Sequence, residues 1–297
     1  MNIAYMAKSK WTALLDAIRT KGGTTASMTV DQAITVVENI PAGGGGDDSF
    51  ERLVDRTITE ARGNMTNIGS YAFNYCSRLT TASFPLATSI GNSAFAYCSS
   101  LTTISFPLVT SIGNGAFAYC SRLTTASFPS AISIGSYAFN YCSSLTTISF
   151  PLVTSIGNSA FYNCSSLTTA SFPLVTSIGA NAFYSCTRLT TASFPLVTSI
   201  GGDTFANCRS LTTASFSSAI SIGKGAFYSC YTLLSLYFMG SSVPSLSNAN
   251  AFGNTPISNY TASTGGVYGS IYVPASLYNS YLTATNWSLF SSRFVSV

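Results

Sequence analysis

The sequence predicts a solenoid, a rod of short parallel strands stacked rung on rung, and three observations carry that expectation. Cysteine occurs at Cys76, Cys98, Cys120, Cys142, Cys164, Cys186, Cys208 and Cys230, each neighbouring pair 22 residues apart. A leucine column from Leu79 to Leu233 and two phenylalanine columns, Phe84 to Phe238 and Phe73 to Phe227, keep the same period. A unit this short cannot bury its apolar side chains alone, whereas stacked copies share one continuous core.

Within a unit, "LTTASF" alternates at its end, with Ala82 and Phe84 on one side and Thr81 and Ser83 on the other, as in a short strand with one wet face. Pro85 follows and has no N–H to extend the ladder. "TSIG" reads as a second short extended piece, and Gly91 and its equivalents are expected to supply a turn at positive φ. "NSAFAYC" places Ala94, Phe95 and Cys98 on one face of a single helical turn. At strand spacing, eight such rungs make a rod ~38 Å long.

The ends differ from the middle. An open solenoid needs caps, and the charged segment "FERLVDRTITEARGN" suits one. We divide the chain into a helical segment with a glycine linker over 1–45, an N-terminal cap over 46–67, repeats over 68–239 and a C-terminal cap over 240–297. The C-terminal residues are expected to form a strand, a helix opened by Pro274 at its first position and a final strand. Trp287, Phe290 and Phe294 are expected to cover the last rung. In the first segment, Trp11, Leu14, Leu15 and Ile18 form one apolar helical stripe, and "TVDQAITVVENI" gives a second helix before "PAGGGGDD". Two short helices make little core alone, so they are expected to dock on the rod, on each other in an oligomer or on a larger assembly.

Composition excludes several functions. Only 7% of the 297 residues are charged, against ~25% in ordinary soluble proteins. Ser, Thr, Asn and Tyr must therefore supply the wet surface. Residues 62–239 hold six cations, too sparse for nucleic acid, and one carboxylate, Asp203, too few for paired-carboxylate chemistry. The chain has no histidine, which removes the usual general base near neutral pH. We expect no enzyme, no cofactor and no metal. No apolar run approaches the ~20 residues that span a bilayer, so no direct membrane insertion is expected. The opening residues lack the pattern of a secretory signal. The expectation is a protein that stays where it is made or leaves within a larger object.

The stretch "LTTISFPLVTSIGNSAFYNCSS" (Leu145–Ser166) resembles the BspA-like leucine-rich repeat family, whose unit has the shape L-T-x-I-x-I-P-x-x-V-T-x-I-G-x-x-A-F-x-x-C. Each rung here is one residue shorter, between the Pro and "VTSIG". The position eight after the first Leu, an Asn/Cys ladder in standard leucine-rich repeats, holds Ala87 or Val109. The resemblance covers roughly residues 60–239. It implies a leucine-rich-repeat solenoid, a right-handed superhelix of short parallel strands and single helical turns. It also implies a surface adhesin or host-interaction protein without catalytic residues. Separately, "LLDAIRTKGG" with "MTVDQAI" is similar to N-terminal segments of tail-associated proteins of phages, over about 40 residues.

Three sets of residues are candidate sites. Stacked cysteines fall within disulfide distance, yet their side chains point in parallel beside the Ala-Phe pair. The reading favoured is a reduced packing ladder rather than disulfides, zinc ligands or thiolates. The sheet hydroxyls Thr81, Ser83, Thr103, Ser105, Thr125, Ser127, Thr147 and Ser149 should line the outer strand face, which in leucine-rich repeats is the concave ligand surface; Thr is also simply a good residue for a wet strand. Tyr75, Tyr97, Tyr119 and Tyr141 each directly precede a cysteine, and from the fifth rung the tyrosine moves one place earlier, to Tyr162, Tyr184 and Tyr228. That stripe suits a protein or glycan partner, or coats a surface poor in charge. The expected function is a non-enzymatic recognition or adhesion rod for a cell-surface protein or glycan, displayed on a virion tail or a microbial surface. The alternative is a structural spacer with no ligand on its repeat face.

Overall fold

The computed structural model describes Arg56 and residues 58–259 and 262–297. The helices and linker expected over 1–45, and the cap residues before Arg56, lie outside the described residues.

The repeat folds as a stack of parallel strands. One face carries β1 (Glu60–Arg62), β3 (Thr81–Ser83), β5 (Thr103–Ser105), β7 (Thr125–Ser127), β9 (Thr147–Ser149), β11 (Thr169–Ser171), β13 (Thr191–Ser193), β15 (Thr213–Ser215) and β17 (Ser235–Tyr237). The central residue of each points inward because the side-chain period of a strand is two. Ala82 is buried between exposed Thr81 and Ser83. The second face carries two-residue strands: β2 (Asn67–Ile68), β4 (Ser89–Ile90), β6 (Ser111–Ile112), β8 (Ser133–Ile134), β10 (Ser155–Ile156), β12 (Ser177–Ile178), β14 (Ser199–Ile200), β16 (Ser221–Ile222) and β18 (Ser245–Leu246). These nine form one unbroken ladder in which serine pairs with serine and isoleucine with isoleucine along the repeats. The first face divides between β9 and β11, into one sheet from β1 to β9 and another from β11 onward. Ile148, at the centre of β9, is only half-buried.

The third side of each rung differs from the sequence expectation. It is a ribbon of consecutive turns, not a helical turn. Ser93 and Tyr97 have φ of 52° and 61°, and their equivalents in every rung are likewise left-handed, which no right-handed helical turn allows. Alternate N–H groups close turns inside the rung, from Ala94, Ala96 and Cys98 to the carbonyls of Gly91, Ser93 and Phe95. The others reach the next rung, from Ser93, Phe95 and Tyr97 to the carbonyls of Asn114, Ala116 and Ala118. Each of these six donors is thereby satisfied without helix or strand.

The glycine column also has another cause than the one expected. Gly91 does not have positive φ. A Cβ there would lie 2.5 Å from the backbone nitrogen of Ser70 in the preceding rung, and one on Gly157 equally close to that of Ser136. The glycines are required by close rung-to-rung approach.

Inside, the two phenylalanine columns interlock. Phe95 lies 5.2 Å from Phe117, stacked, and 6.0 Å from Phe106 of the other column, tilted. Burying each ring contributes about 2–3 kcal/mol.

At the C-terminal end, β19 (Ser270–Val273) pairs with β17 and β20 (Phe294–Ser296) with β19, extending the first face. Pro274 precedes a 3-10 turn (Ala275–Leu277) as its N-cap, one place before the expected position, and α1 (Tyr278–Thr283) follows. Trp287, Phe290 and Phe294 are buried as expected. Trp287 meets Phe238 edge-on at 5.5 Å and donates its indole N–H to the Pro244 carbonyl at 2.6 Å.

Candidate functional site

All eight cysteines are free and buried. The structure adds a role beyond packing. Each thiol from Cys98 to Cys230 donates to the carbonyl oxygen of the phenylalanine three residues before the preceding cysteine, as Cys98 does to Phe73 at 3.1 Å and Cys230 to Phe205 at 3.0 Å. The column is thus a hydrogen-bonded ladder between rungs. Burial pushes the Cys76 and Cys120 thiols up to about 12 and raises the other six as well. A thiol held protonated and inside is neither nucleophile nor ligand. Among the described residues no group of three or more His, Cys, Asp or Glu could hold a metal ion.

The sheet hydroxyls fall in register, Thr81 against Thr103, Thr103 against Thr125, and Thr125 against Thr147. Ser105, Ser127 and Ser149 align likewise. Most are exposed, while Thr125 and Ser127 are half-buried. Two other threonine columns behave differently, and sequence reading missed them. Thr80, Thr124, Thr146, Thr190 and Thr212 donate their hydroxyls to the backbone of the preceding rung. Thr88, Thr110, Thr154, Thr176 and Thr198 do the same on the second face. These are stitches between rungs, signalled in the sequence only by their period.

The tyrosines are brought together into one ladder. Tyr75, Tyr97, Tyr119 and Tyr141 stack ring on ring at 4.3, 4.6 and 4.8 Å, with interplanar angles of 2°, 5° and 7°. The shift in sequence at the fifth rung does not end the stack. Tyr141 meets Tyr162 at 5.6 Å and 45°, and Tyr162 then stacks on Tyr184 at 4.9 Å. Ala206 interrupts the column before Tyr228. The Arg56 guanidinium lies over the outer face of Tyr75, 5.2 Å from its centroid. The inner rings therefore present edges and hydroxyls, since their faces cover one another. Burial first, and then the neighbouring phenols, raise the pKa of Tyr97 and Tyr162, which keeps those hydroxyls as donors.

The backbone beneath them is unusual. Tyr75, Tyr97, Tyr119 and Tyr141 hold φ of 60°, 61°, 60° and 58°. A left-handed backbone costs a residue with a Cβ ~1 kcal/mol or more, and asparagine tolerates it best. Two of the later rungs follow that rule, with Asn163 and Asn207 at the same place, while the other two place Ser185 and Ser229 there. Tyr162 and Tyr184 stack from the preceding position without positive φ. Stacking alone therefore does not require the strained placement of the first four.

Among the described residues no helix is long and apolar enough to cross a membrane. The family model of the BspA type leucine rich repeat region matches the chain in six copies, over residues 66–190 and 154–265. Among solved structures, a leucine rich cell surface protein of Faecalibacterium prausnitzii is 25% identical, with 73% of each chain covered and a TM-score of 0.44. A leucine rich repeat protein of T. pallidum is 27% identical, over 59% of this chain and 83% of that one, with a TM-score of 0.47. The pneumococcal vaccine antigen PcpA is 16% identical, over 80% and 65%, with a TM-score of 0.44. None of the curated proteins compared with the chain matches it. The matched repeats cover well over half of the 297 residues, and their columns are the ones that build this core, so the chain belongs to the BspA-type leucine-rich repeat family.

Proposed function

We propose that the protein is a non-enzymatic recognition rod that binds a protein on a cell surface through its tyrosine flank. The observation that supports this reading is the strained placement of Tyr75, Tyr97, Tyr119 and Tyr141 on a left-handed backbone, where two later rungs use the better-suited Asn163 and Asn207. Strain kept at an exposed place where the fold offers a cheaper residue marks a selected surface. Tyrosine supplies contact area and a hydroxyl at little entropic cost, which suits protein recognition. A glycan that stacks on aromatic faces is the weaker alternative, because these faces are occupied. The register of sheet hydroxyls from Thr81 to Ser149 forms a second surface for the same partner.

The setting proposed is a microbial surface, in keeping with the family. Display on a virion tail rests on the first 40 residues alone, which lie outside the described residues. The test is binding of the full chain to an array of cell-surface ectodomains and, in parallel, to a glycan array. The reading predicts signal on ectodomains that competes with added tyrosine-flank antibody. Signal on glycans only would overturn the protein assignment. Signal on neither would favour the spacer.

A further inference from the structure

A second exposed stripe runs along the rod, and recognition through the tyrosines leaves it unused. Two positions after the inward Phe, most rungs turn a leucine outward. Leu86, Leu108, Leu152, Leu174 and Leu196 hold that place and are 39–48% exposed. Two rungs carry serine there instead, Ser130 and Ser218. In both, and among the rungs from Leu86 to Ile220 in no other, the position two further on is isoleucine in place of threonine. Ile132 is 51% exposed and Ile220 60%. In the next rung Gly240 holds the leucine place, and Met239, one position nearer the Phe, is 40% exposed. Where the leucine is lost an isoleucine is gained, twice, so the stripe is kept apolar over seven rungs, and Met239 continues it in the eighth. Residues 84–90 and their equivalents in those rungs carry no charge.

We propose that this stripe is the contact between two copies of the chain, packed antiparallel about a two-fold axis through Leu174. Area permits it. The seven side chains from Leu108 to Met239, about half exposed, offer roughly 600 Å² per copy, a large patch for a monomer, and two copies bury ~1,200 Å², the lower bound of a stable interface. Spacing permits it, because the stripe borders the ladder from β2 to β18, which is unbroken and keeps its rungs ~4.8 Å apart. Order then selects the register. Along the rod the stripe reads Leu, Leu, Ile, Leu, Leu, Leu, Ile, Met. A two-fold axis at Leu174 faces that residue with itself, Leu152 with Leu196, Ile132 with Ile220 and Leu108 with Met239. The isoleucines are displaced sideways from the leucine column. An antiparallel two-fold brings both displacements to the same side, whereas a parallel one sets them on opposite sides. A slip of one rung in either direction leaves neither isoleucine facing an isoleucine. Such an isologous match of one surface with itself is what a closed dimer needs.

The experiment is sedimentation equilibrium of the full chain and of a variant carrying Leu152→Ser, Leu174→Ser and Leu196→Ser. The expected result is a dimer for the parent and at least tenfold weaker association for the variant, with the circular dichroism spectrum of the fold unchanged. Oxidative cross-linking fixes the register, because the native cysteines are buried. Leu174→Cys should link to itself. Leu152→Cys should fail alone and link when mixed with Leu196→Cys. A monomeric parent, or a variant that associates as tightly as the parent, would overturn the interface. A dimer in which Leu174→Cys does not link would overturn the two-fold at that residue.

Discussion

From Gly69 to Tyr141 and from Gly157 to Ser229 the rod is built on the same interior columns, and it differs on its flank. Phe, Cys, Leu and Ile keep their places in both halves, and the Cys-to-carbonyl bonds run through all of them at 3.0–3.2 Å. Outside, the first half sets tyrosine on a left-handed backbone and the second sets Asn or Ser there. The strand face divides at the same junction, between β9 and β11. A shared interior with a changed exterior teaches that the fold does not dictate the tyrosines. What the fold demands, it demands in every rung.

Changes to shared features should therefore damage both halves alike. Among single substitutions the largest effect is expected for Gly91→Ala in the first half and Gly157→Ala in the second, whose new Cβ would lie 2.5 Å from backbone nitrogen of the rung before. Each should cost ~3 kcal/mol, or about 10 °C of melting temperature. A clear difference between the two, by calorimetry, would break the equivalence of the halves.

Next comes alkaline pH. A thiol whose folded pKa is raised stabilises the fold fully below its unfolded value, ~8.5. That stability is lost as pH rises toward the folded value, about 12 for Cys76 and Cys120. Each of the eight thiols adds up to ~1.4 kcal/mol per pH unit to the slope. Denaturant midpoints should hold steady from pH 6 to 8 and fall steeply from pH ~9. A flat profile to pH ~11 would contradict a buried protonated ladder.

Smaller still is the loss of one ladder step. Cys142→Ala and Cys186→Ala each remove a thiol donor and leave a small cavity, at ~1–2 kcal/mol. Cys142→Ser should cost less than Cys142→Ala, because its hydroxyl can reach the same Phe117 carbonyl. Denaturant titration ranks the three.

The smallest effect separates the halves. Tyr119→Asn loses stacking and gains a relaxed backbone, so its stability should change by less than ~0.5 kcal/mol. Tyr162→Asn loses stacking only and should cost ~1 kcal/mol. Equal costs would remove strain from the account.

Much of this was legible in the sequence. A 22-residue period in Leu, Phe, Ile and Cys fixes stacked parallel strands, because only stacking buries those columns. The inward Ala82 and outward Thr81 and Ser83 follow from a period of two. The turn ribbon was not legible. "NSAFAYC" has apolar spacing that fits a helix, and nothing in residue type announces that Tyr97 is left-handed, since tyrosine is among the poorest residues for it. A glycine before a turn suggests conformational freedom, whereas at Gly91 the missing Cβ is what the neighbouring rung requires. The tyrosine stripe was visible, but its continuity through Tyr162 was hidden, because residues one apart in sequence can share a column when the backbone between them reverses hand. The outward leucines after proline are hidden in the sequence because apolar residues in a solenoid are expected to be inside.

The most direct test pairs two variants of the full chain. One carries serine at Tyr75, Tyr97, Tyr119 and Tyr141, and the other at Tyr162, Tyr184 and Tyr228. Binding to a cell-surface ectodomain identified on the array is measured for both by surface plasmon resonance. The account predicts that the first variant melts within a few degrees of the parent and loses binding at least tenfold, roughly 1.4 kcal/mol or more, while the second loses less. Unchanged binding by the first variant would contradict it.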